Sequence, residues 1–197
     1  MAKEKIGIAL GGGGSRGFVH LGVLKALEEK GITPDVISGV SAGSIVGVFI
    51  AAGMSPEKVM ELMKENKFTD YAKVNMPVNG LLNLDNLKKN LEEYLPVNRF
   101  SDLELPFHVA VSNLNSGEIE YLQQGKLISA IQASSSIPVL FSPVDIDGNS
   151  YADGGLLDNL PITPLEGQCD TIIGVNIMPI KEKEEVDNLM EVAIRTF

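Results

Sequence analysis

The chain has 197 residues, of which 44% are hydrophobic and 21% charged, a composition typical of one ordinary globular domain. Its 26 acidic and 16 basic residues give a formal net charge of −10, which argues against a nucleic-acid partner because phosphates need a basic face. The single cysteine, Cys169, cannot form an internal disulfide, so a reducing, cytoplasmic location is expected. Two histidines leave little basis for a zinc site.

Strands and helices alternate along the chain in the pattern of an α/β fold. Hydrophobic periodicity predicts strands over residues 5–10, 35–38, 107–113, 118–122 and 171–177. It predicts helices over residues 18–30, 42–52, 55–66, 84–95, 126–134 and 184–195. Turn residues at 115–117 and 147–148 predict two hairpins. The expected architecture is three-layer α/β/α, with a mainly parallel central sheet and added antiparallel hairpins.

The first feature with chemical content is the glycine-rich run at residues 11–17, which leaves a strand and enters a helix. Glycine permits positive φ and leaves backbone N–H groups open to a ligand, and a helix start adds unpaired donors. Such a loop binds a phosphate, or an oxyanion that exists only during a reaction. Residues 12–17 also match the dinucleotide fingerprint G-x-G-x-x-G, so a nucleotide-binding module is the alternative. That alternative needs an acid at the end of the second strand, whereas Asp35 begins it.

The second feature is a G-x-S-x-G pattern at residues 39–43, between a predicted strand and a predicted helix. This pattern places Ser41 at a strained turn, where small flanking residues avoid clashes and the hydroxyl is exposed at the carboxyl end of the sheet. The pattern therefore predicts a serine nucleophile. A plain helix N-cap is the other interpretation of Ser41.

A serine nucleophile needs a base, and neither histidine fits the usual chain order of nucleophile, acid and histidine. His20 precedes the serine, and His108 precedes the acids near the C-terminus, so both are interpreted as packed side chains. Unless a histidine follows residue 197 in a longer natural chain, a carboxylate that acts directly on the serine is the remaining option. Asp153 is the best candidate because Gly154 and Gly155 allow a tight turn after a short strand, although a plain turn residue is the alternative.

The motifs at 12–17, 39–43 and 153–155 occur in the order found in patatin-like phospholipases, and the chain resembles that family over most of its length. The stretches 18–27 and 133–138 look like the bacterial members. The resemblance implies a patatin-like fold and hydrolysis of lipid acyl esters by a Ser-Asp dyad, without a metal or an organic cofactor.

The resemblance also implies a role for each motif residue. Ser41 is the nucleophile, Asp153 is the base, and the amides of Gly12, Gly13 and Gly14 form the oxyanion hole. The residues that support these motifs are Arg16, Gly17, Gly39, Gly43, Gly154 and Gly155. For Arg16, orientation of the loop, contact with a lipid phosphate and a solvated position all remain open.

The expected partner is a lipid or another acyl ester, which implies transient contact with a membrane surface, whereas nothing specifies an oligomeric state. Apolar residues in predicted loops are expected to line an acyl groove: Met76, Leu81, Leu82, Pro138 and Phe141. Residues 68–82 are expected to form a mobile cap over it. Residues 1–197 are expected to form a single hydrolase domain. Domains of the family commonly continue past the point that matches Phe197, so truncation within the last helix is expected.

Overall fold

A computed structural model describes residues 4–65 and 84–178 of the chain. The strands are β1 (Ile6–Leu10), β2 (Val36–Gly39), β3 (Phe107–Asn113), β4 (Glu118–Leu122), β5 (Val144–Ile146), β6 (Asn149–Asp153) and β7 (Thr171–Val175). The α-helices are α1 (Phe18–Glu29), α2 (Ala42–Ala51), α3 (Pro56–Glu65), α4 (Asp85–Tyr94) and α5 (Leu127–Ser134). The proposed cap at 68–82, with Met76, Leu81 and Leu82, lies outside the described residues, as does the predicted helix 184–195.

The strands form one mixed sheet in the order β5-β6-β3-β2-β1-β7, with β4 also paired to β3. Strands β7, β1, β2 and β3 are parallel to one another, whereas β4, β5 and β6 add antiparallel pairs. The parallel strands place the loops that follow β1 and β2 at the same carboxyl edge, where open α/β sheets bind their ligands.

Alternate residues of the central strands face two hydrophobic clusters. On β1, Ile8 and Leu10 belong to the larger cluster, which also contains residues from all five helices. Ala9 points to the other face and packs with Val36 and Leu165, the last in a short 3-10 helix at Thr163–Leu165. This two-sided burial explains why the central strands read as continuous apolar runs.

Helix α2 lies at the centre of the larger cluster. All ten of its residues are buried, as expected for a helix that is apolar on every side. It contacts β2 and β3 of the sheet together with α1, α3 and α5. Since α2 begins directly after Ser41, a helix whose ten residues are all buried holds the predicted nucleophile in place.

The structure confirms the α/β class and the predicted elements within the described ranges, with end points that differ by one or two residues. The hairpin between β5 and β6 turns at Asp147 and Gly148, with φ values of 52° and 85°, as in a turn that twists with its strands. Among the helices described, none has the length and hydropathy needed to cross a bilayer.

Candidate active site

Two of the three sequence motifs meet at the carboxyl edge of the sheet. The last residues of β1 and β2, Leu10 and Gly39, are direct partners in the parallel ladder. The glycine loop and the serine turn therefore leave the sheet side by side. A Cβ added to Gly12 would lie 3.4 Å from the Cβ of Ser41, which is ordinary van der Waals contact.

Ser41 occupies a strained backbone conformation. Its φ of 52° and ψ of −122° are rare for a residue other than glycine, and such strain is found most often at functional sites. Ser41 occupies the N-cap position of α2, but its side chain makes no capping hydrogen bond, so capping does not account for a serine there. Only 8% of Ser41 is exposed, and its backbone N–H donates to Oγ of Ser134 at 2.9 Å.

The glycines around Ser41 are required by close backbone approach. A Cβ on Gly43 would lie 2.0 Å from the carbonyl oxygen of Leu10, and one on Gly39 would lie 2.7 Å from the carbonyl oxygen of Gly43. A Cβ on Gly17 would be 3.2 Å from the Cβ of Ala42. The motif glycines thus let β1, β2 and the start of α2 pack closely enough to form the serine turn.

Asp153 ends β6 and is fixed by hydrogen bonds on both its backbone and its side chain. Its backbone N–H donates to the carbonyl oxygen of Ser136 at 2.9 Å, and its carbonyl oxygen accepts from Oγ of Ser112 at 2.9 Å. Its carboxyl Oδ1 accepts from the N–H of Gly155 at 2.8 Å. With 2% exposure, this carboxyl is almost completely removed from water.

The third motif meets the other two through this carboxyl. Burial raises the pKa of Asp153 from its ordinary 3.8 to about 7, while hydrogen bonds from the Ser41 hydroxyl and the Gly155 N–H act to lower it. A base whose pKa lies near neutral pH accepts a serine proton more readily than an ordinary carboxylate does. The arrangement pairs a strained, nearly buried hydroxyl with a buried carboxyl.

The three predicted oxyanion-hole amides differ in their availability. The N–H of Gly12 donates to the carbonyl oxygen of Asn159 at 3.2 Å, so it already has an acceptor. Within residues 4–65 and 84–178, the N–H groups of Gly13 and Gly14 have no hydrogen-bond acceptor. The structure thus leaves Gly13 and Gly14 as the free donors, whereas Gly12 supplies close contact with Ser41.

Asn159 is a site residue that the sequence reasoning missed. Its Oδ1 lies 2.3 Å from where a Cβ of Gly12 would be and 2.8 Å from where a Cβ of Gly155 would be. The amide side chain therefore sits between the glycine loop and the turn after Asp153, in space that only glycine leaves open. Asn159 lies six residues after Asp153, and this spacing matches none of the motifs that the sequence analysis used.

Among the described residues, neither histidine is hydrogen-bonded to Ser41 or Asp153. His20 is fully buried and donates from Nε2 to the carbonyl oxygen of Gly11 at 2.7 Å. His108 lies on β3 with its ring 3.2 Å from Nε2 of Gln168. Burial lowers the pKa of both rings, which favours their neutral forms. Their interpretation as packed side chains agrees with these surroundings.

The remaining predicted residues fall in three different places. Arg16 donates from Nη1 to the carbonyl oxygen of Ile177 at 3.5 Å, which ties the glycine loop to the segment after β7. Asp35 accepts from the N–H of Ile6 at 2.9 Å, at the edge of the sheet opposite the loop.

Phe141, expected in the acyl groove, is 6% exposed and packs in the larger hydrophobic cluster. In the described parts of the chain, no cluster of three or more His, Cys, Asp or Glu residues forms a potential metal site.

Comparison with known proteins identifies the family to which these motifs point. The family model described as patatin-like phospholipase matches residues 8–166. An uncharacterized NTE family protein of Mycobacterium bovis is 31% identical over 179 residues, which cover 89% of this chain and 50% of the relative. Lysophospholipase NTE1 of Saccharomyces cerevisiae is 30% identical over 187 residues, covering 90% of this chain and 11% of that protein.

A solved structure supports the same fold. The crystal structure of VipD from Legionella pneumophila superposes with a TM-score of 0.65 at 20% identity, over 81% of this chain and 47% of that chain. The predicted family and fold are thereby confirmed. The chain spans about half the length of its mycobacterial relative and about a tenth of the yeast one.

Proposed function

The chain belongs to the patatin-like phospholipase family, a family of lipid ester hydrolases, and on this premise we propose that it hydrolyses lipid acyl esters with a Ser-Asp dyad. Ser41 is the nucleophile and Asp153 the base. One combination carries the proposal: a strained serine lies beside a buried carboxyl, whose pKa is raised by burial to about 7 and acted on in the opposite direction by the Ser41 hydroxyl. Burial of an acid without a partner cation is unfavourable, and functional sites are where such groups are retained.

The first half of the reaction forms an acyl-enzyme. The ionised carboxyl of Asp153 takes the proton of the Ser41 hydroxyl as Oγ bonds to the ester carbonyl carbon, and the carbonyl electrons move onto oxygen. When this intermediate collapses, the bond to the alcohol breaks and the alcohol oxygen takes the proton from Asp153. The acyl group remains on Ser41.

In the second half, water replaces the alcohol. Asp153 takes a proton from water as the water oxygen bonds to the acyl carbon, and collapse of the intermediate breaks the bond to Ser41 Oγ. The proton returns to Oγ, and the carboxylic acid is released. Both intermediates carry an oxyanion, which we assign to the N–H groups of Gly13 and Gly14; loss of one such donor costs about 3–4 kcal/mol in comparable sites.

We propose lysophospholipids as the first substrates to test, because the yeast relative is named a lysophospholipase. A lipid substrate also calls for transient contact with a membrane surface. The single cysteine of the chain is in keeping with a cytoplasmic location, which we include in the proposal. The acyl-chain preference is measurable with p-nitrophenyl esters of increasing length, followed by a comparison of lysophospholipid, phospholipid and acylglycerol.

The test of the nucleophile is labelling with a serine-reactive fluorophosphonate. Wild-type protein should be labelled at Ser41 and should hydrolyse p-nitrophenyl esters, whereas Ser41→Ala should lose both properties. Ser15→Ala is the matched control, since Ser15 is an exposed serine in the glycine loop and its removal should leave the labelling in place. Labelling of the Ser41→Ala variant at the wild-type rate would refute the assignment.

The nucleotide-binding alternative makes the opposite prediction. It expects no labelling at Ser41 and a rise in melting temperature with added nucleotide. The position of Asp35 disfavours it, because the acid that would hold a ribose lies at the opposite edge of the sheet.

A further inference from the structure

The hydroxyl of Ser134 joins two parts of the chain that are far apart in sequence. Ser134 is the last residue of α5 and is fully buried. Its Oγ accepts from the backbone N–H of Ser41 at 2.9 Å and donates to the carbonyl oxygen of Ala110 at 2.8 Å. A hydroxyl has one proton to donate, and the Ser134 proton goes to the Ala110 carbonyl oxygen. The contact with Ser41 is therefore one in which the Ser134 oxygen accepts.

The carbonyl group of Ala110 also touches the turn that follows Asp153. A Cβ on Gly154, the residue after Asp153, would lie 2.3 Å from this oxygen, so the turn that follows the base packs directly against it. The strand that carries Ala110 is β3, which pairs with β6 and thereby holds Asp153 opposite Val111. One carbonyl group of β3 therefore lies against the turn after Asp153 and is linked to the backbone of Ser41 through the Ser134 hydroxyl.

We propose that Ser134 is a positioning residue, whose hydroxyl holds the Ser41 turn at the distance and orientation that Asp153 requires. This inference rests on the proposed function. Ser134 itself does not touch the reacting atoms, because its contact is with the backbone N–H of Ser41 and not with the side chain.

The strain at Ser41 explains why such a link is needed. A non-glycine residue keeps a φ of 52° only where its surroundings over-determine it. Ser44 holds the carbonyl oxygen of Ser41 through its Oγ at 2.7 Å, but Ser44 belongs to α2, the helix that Ser41 itself begins. Ser134 differs because it ties the turn to the strand beside the base.

The experiment compares Ser134→Ala with Ser38→Ala. Ser38 is a matched control, since it is also fully buried and its hydroxyl also donates to a carbonyl oxygen, that of Pro161 at 2.5 Å. Ser134→Ala should lower kcat by about 10- to 100-fold with KM changed less than about twofold, the loss typical of a misplaced reacting group. Ser38→Ala should lower the melting temperature but leave kcat within about twofold of wild type.

The pH profile of kcat/KM distinguishes positioning from a purely structural role of Ser134, because a structural role would leave this profile unchanged. The hydrogen bond from the Ser41 hydroxyl lowers the pKa of Asp153, so a displaced Ser41 should shift the acid limb of kcat/KM to higher pH. Ser134→Cys keeps a weak donor and acceptor and should be intermediate in both kcat and pH profile. It also keeps the test available if Ser134→Ala does not fold.

The outcomes separate this inference from the proposed function. A wild-type protein that neither hydrolyses esters nor reacts with a fluorophosphonate overturns both. An active wild type together with Ser134→Ala at full kcat and an unmoved acid limb overturns only the role of Ser134. Equal losses of kcat in Ser134→Ala and Ser38→Ala would assign the effect to general destabilisation, and would overturn it as well.

Discussion

Replacement of Asp153 by Asn should abolish turnover and at the same time stabilise the folded protein at alkaline pH. Asparagine keeps an oxygen for the N–H of Gly155 but has no ionised form to bury. In the wild type, burial raises the pKa of this carboxyl from 3.8 in its ordinary state to about 7 in the fold. Between these two values the folded protein holds a proton that the unfolded chain has released, so stability falls as the pH rises.

The size of the stability loss follows from the rise in the pKa of Asp153. At about 1.36 kcal/mol per pH unit, a rise from 3.8 to about 7 corresponds to about 4 kcal/mol of lost stability once the pH exceeds the folded pKa. Between pH 5 and pH 8 the loss is about 2–3 kcal/mol. Because the carboxyl is 2% exposed, solvent screening does not reduce this expectation much.

Urea unfolding of wild type and Asp153→Asn at pH 5 and pH 8 measures the effect. The free energy of unfolding of Asp153→Asn should exceed that of the wild type at pH 8. This excess should be about 2–3 kcal/mol larger at pH 8 than at pH 5. Glu28→Gln, which removes an exposed carboxylate from α1, controls for the loss of one negative charge. If the advantage of Asp153→Asn is the same at both pH values, the carboxyl does not titrate near neutral pH and its description as a neutral-pH base fails.

Four further outcomes are expected. The kcat/KM for p-nitrophenyl esters should rise with pH through about 7 as Asp153 ionises, and a profile flat from pH 5 to pH 8 would exclude it as the base. Gly43→Ala, whose Cβ would lie 2.0 Å from a carbonyl oxygen of β1, should lower stability by about 3 kcal/mol or more in urea unfolding. Gly22→Ala, in open space on α1, should instead stabilise by about 0.5–1 kcal/mol. Gly12→Ala should displace the Asn159 side chain and lower kcat; unchanged kinetics would show that the contact is dispensable.

The elements could be predicted from the sequence, and the two residues of the proposed dyad could be singled out, because their signals are local. A strand that ends in glycines, a G-x-S-x-G turn and an Asp-Gly-Gly turn each specify backbone geometry within a few residues. The parallel ladder then brings the ends of β1 and β2 together, with Leu10 opposite Gly39. The turn at Asp153 made it a candidate base, but its distance from Ser41 could not be predicted, because no local pattern shows that β6 pairs with β3.

The supporting contacts could not be predicted because they depend on packing between distant segments. Asn159 fills a space that exists only where two glycine turns meet, and Ser134 contacts a residue 93 positions away. The N–H of Gly12 was expected to face the oxyanion, yet it is used by the carbonyl oxygen of Asn159. In each case the residue type suits many roles, and only the tertiary fold selects one.

Catalysis and stability impose opposite demands on this edge of the sheet. The burial that suits Asp153 to the proposed role of base also destabilises the fold once the carboxyl ionises. The positive φ of Ser41 adds backbone strain of about 1–3 kcal/mol at the neighbouring position. These penalties are offset by elements that do not react, namely the fully buried helix α2 and the parallel ladder of β1 and β2. Substitutions that relieve either penalty should therefore stabilise the protein while removing activity, and none at Ser41 or Asp153 should improve both.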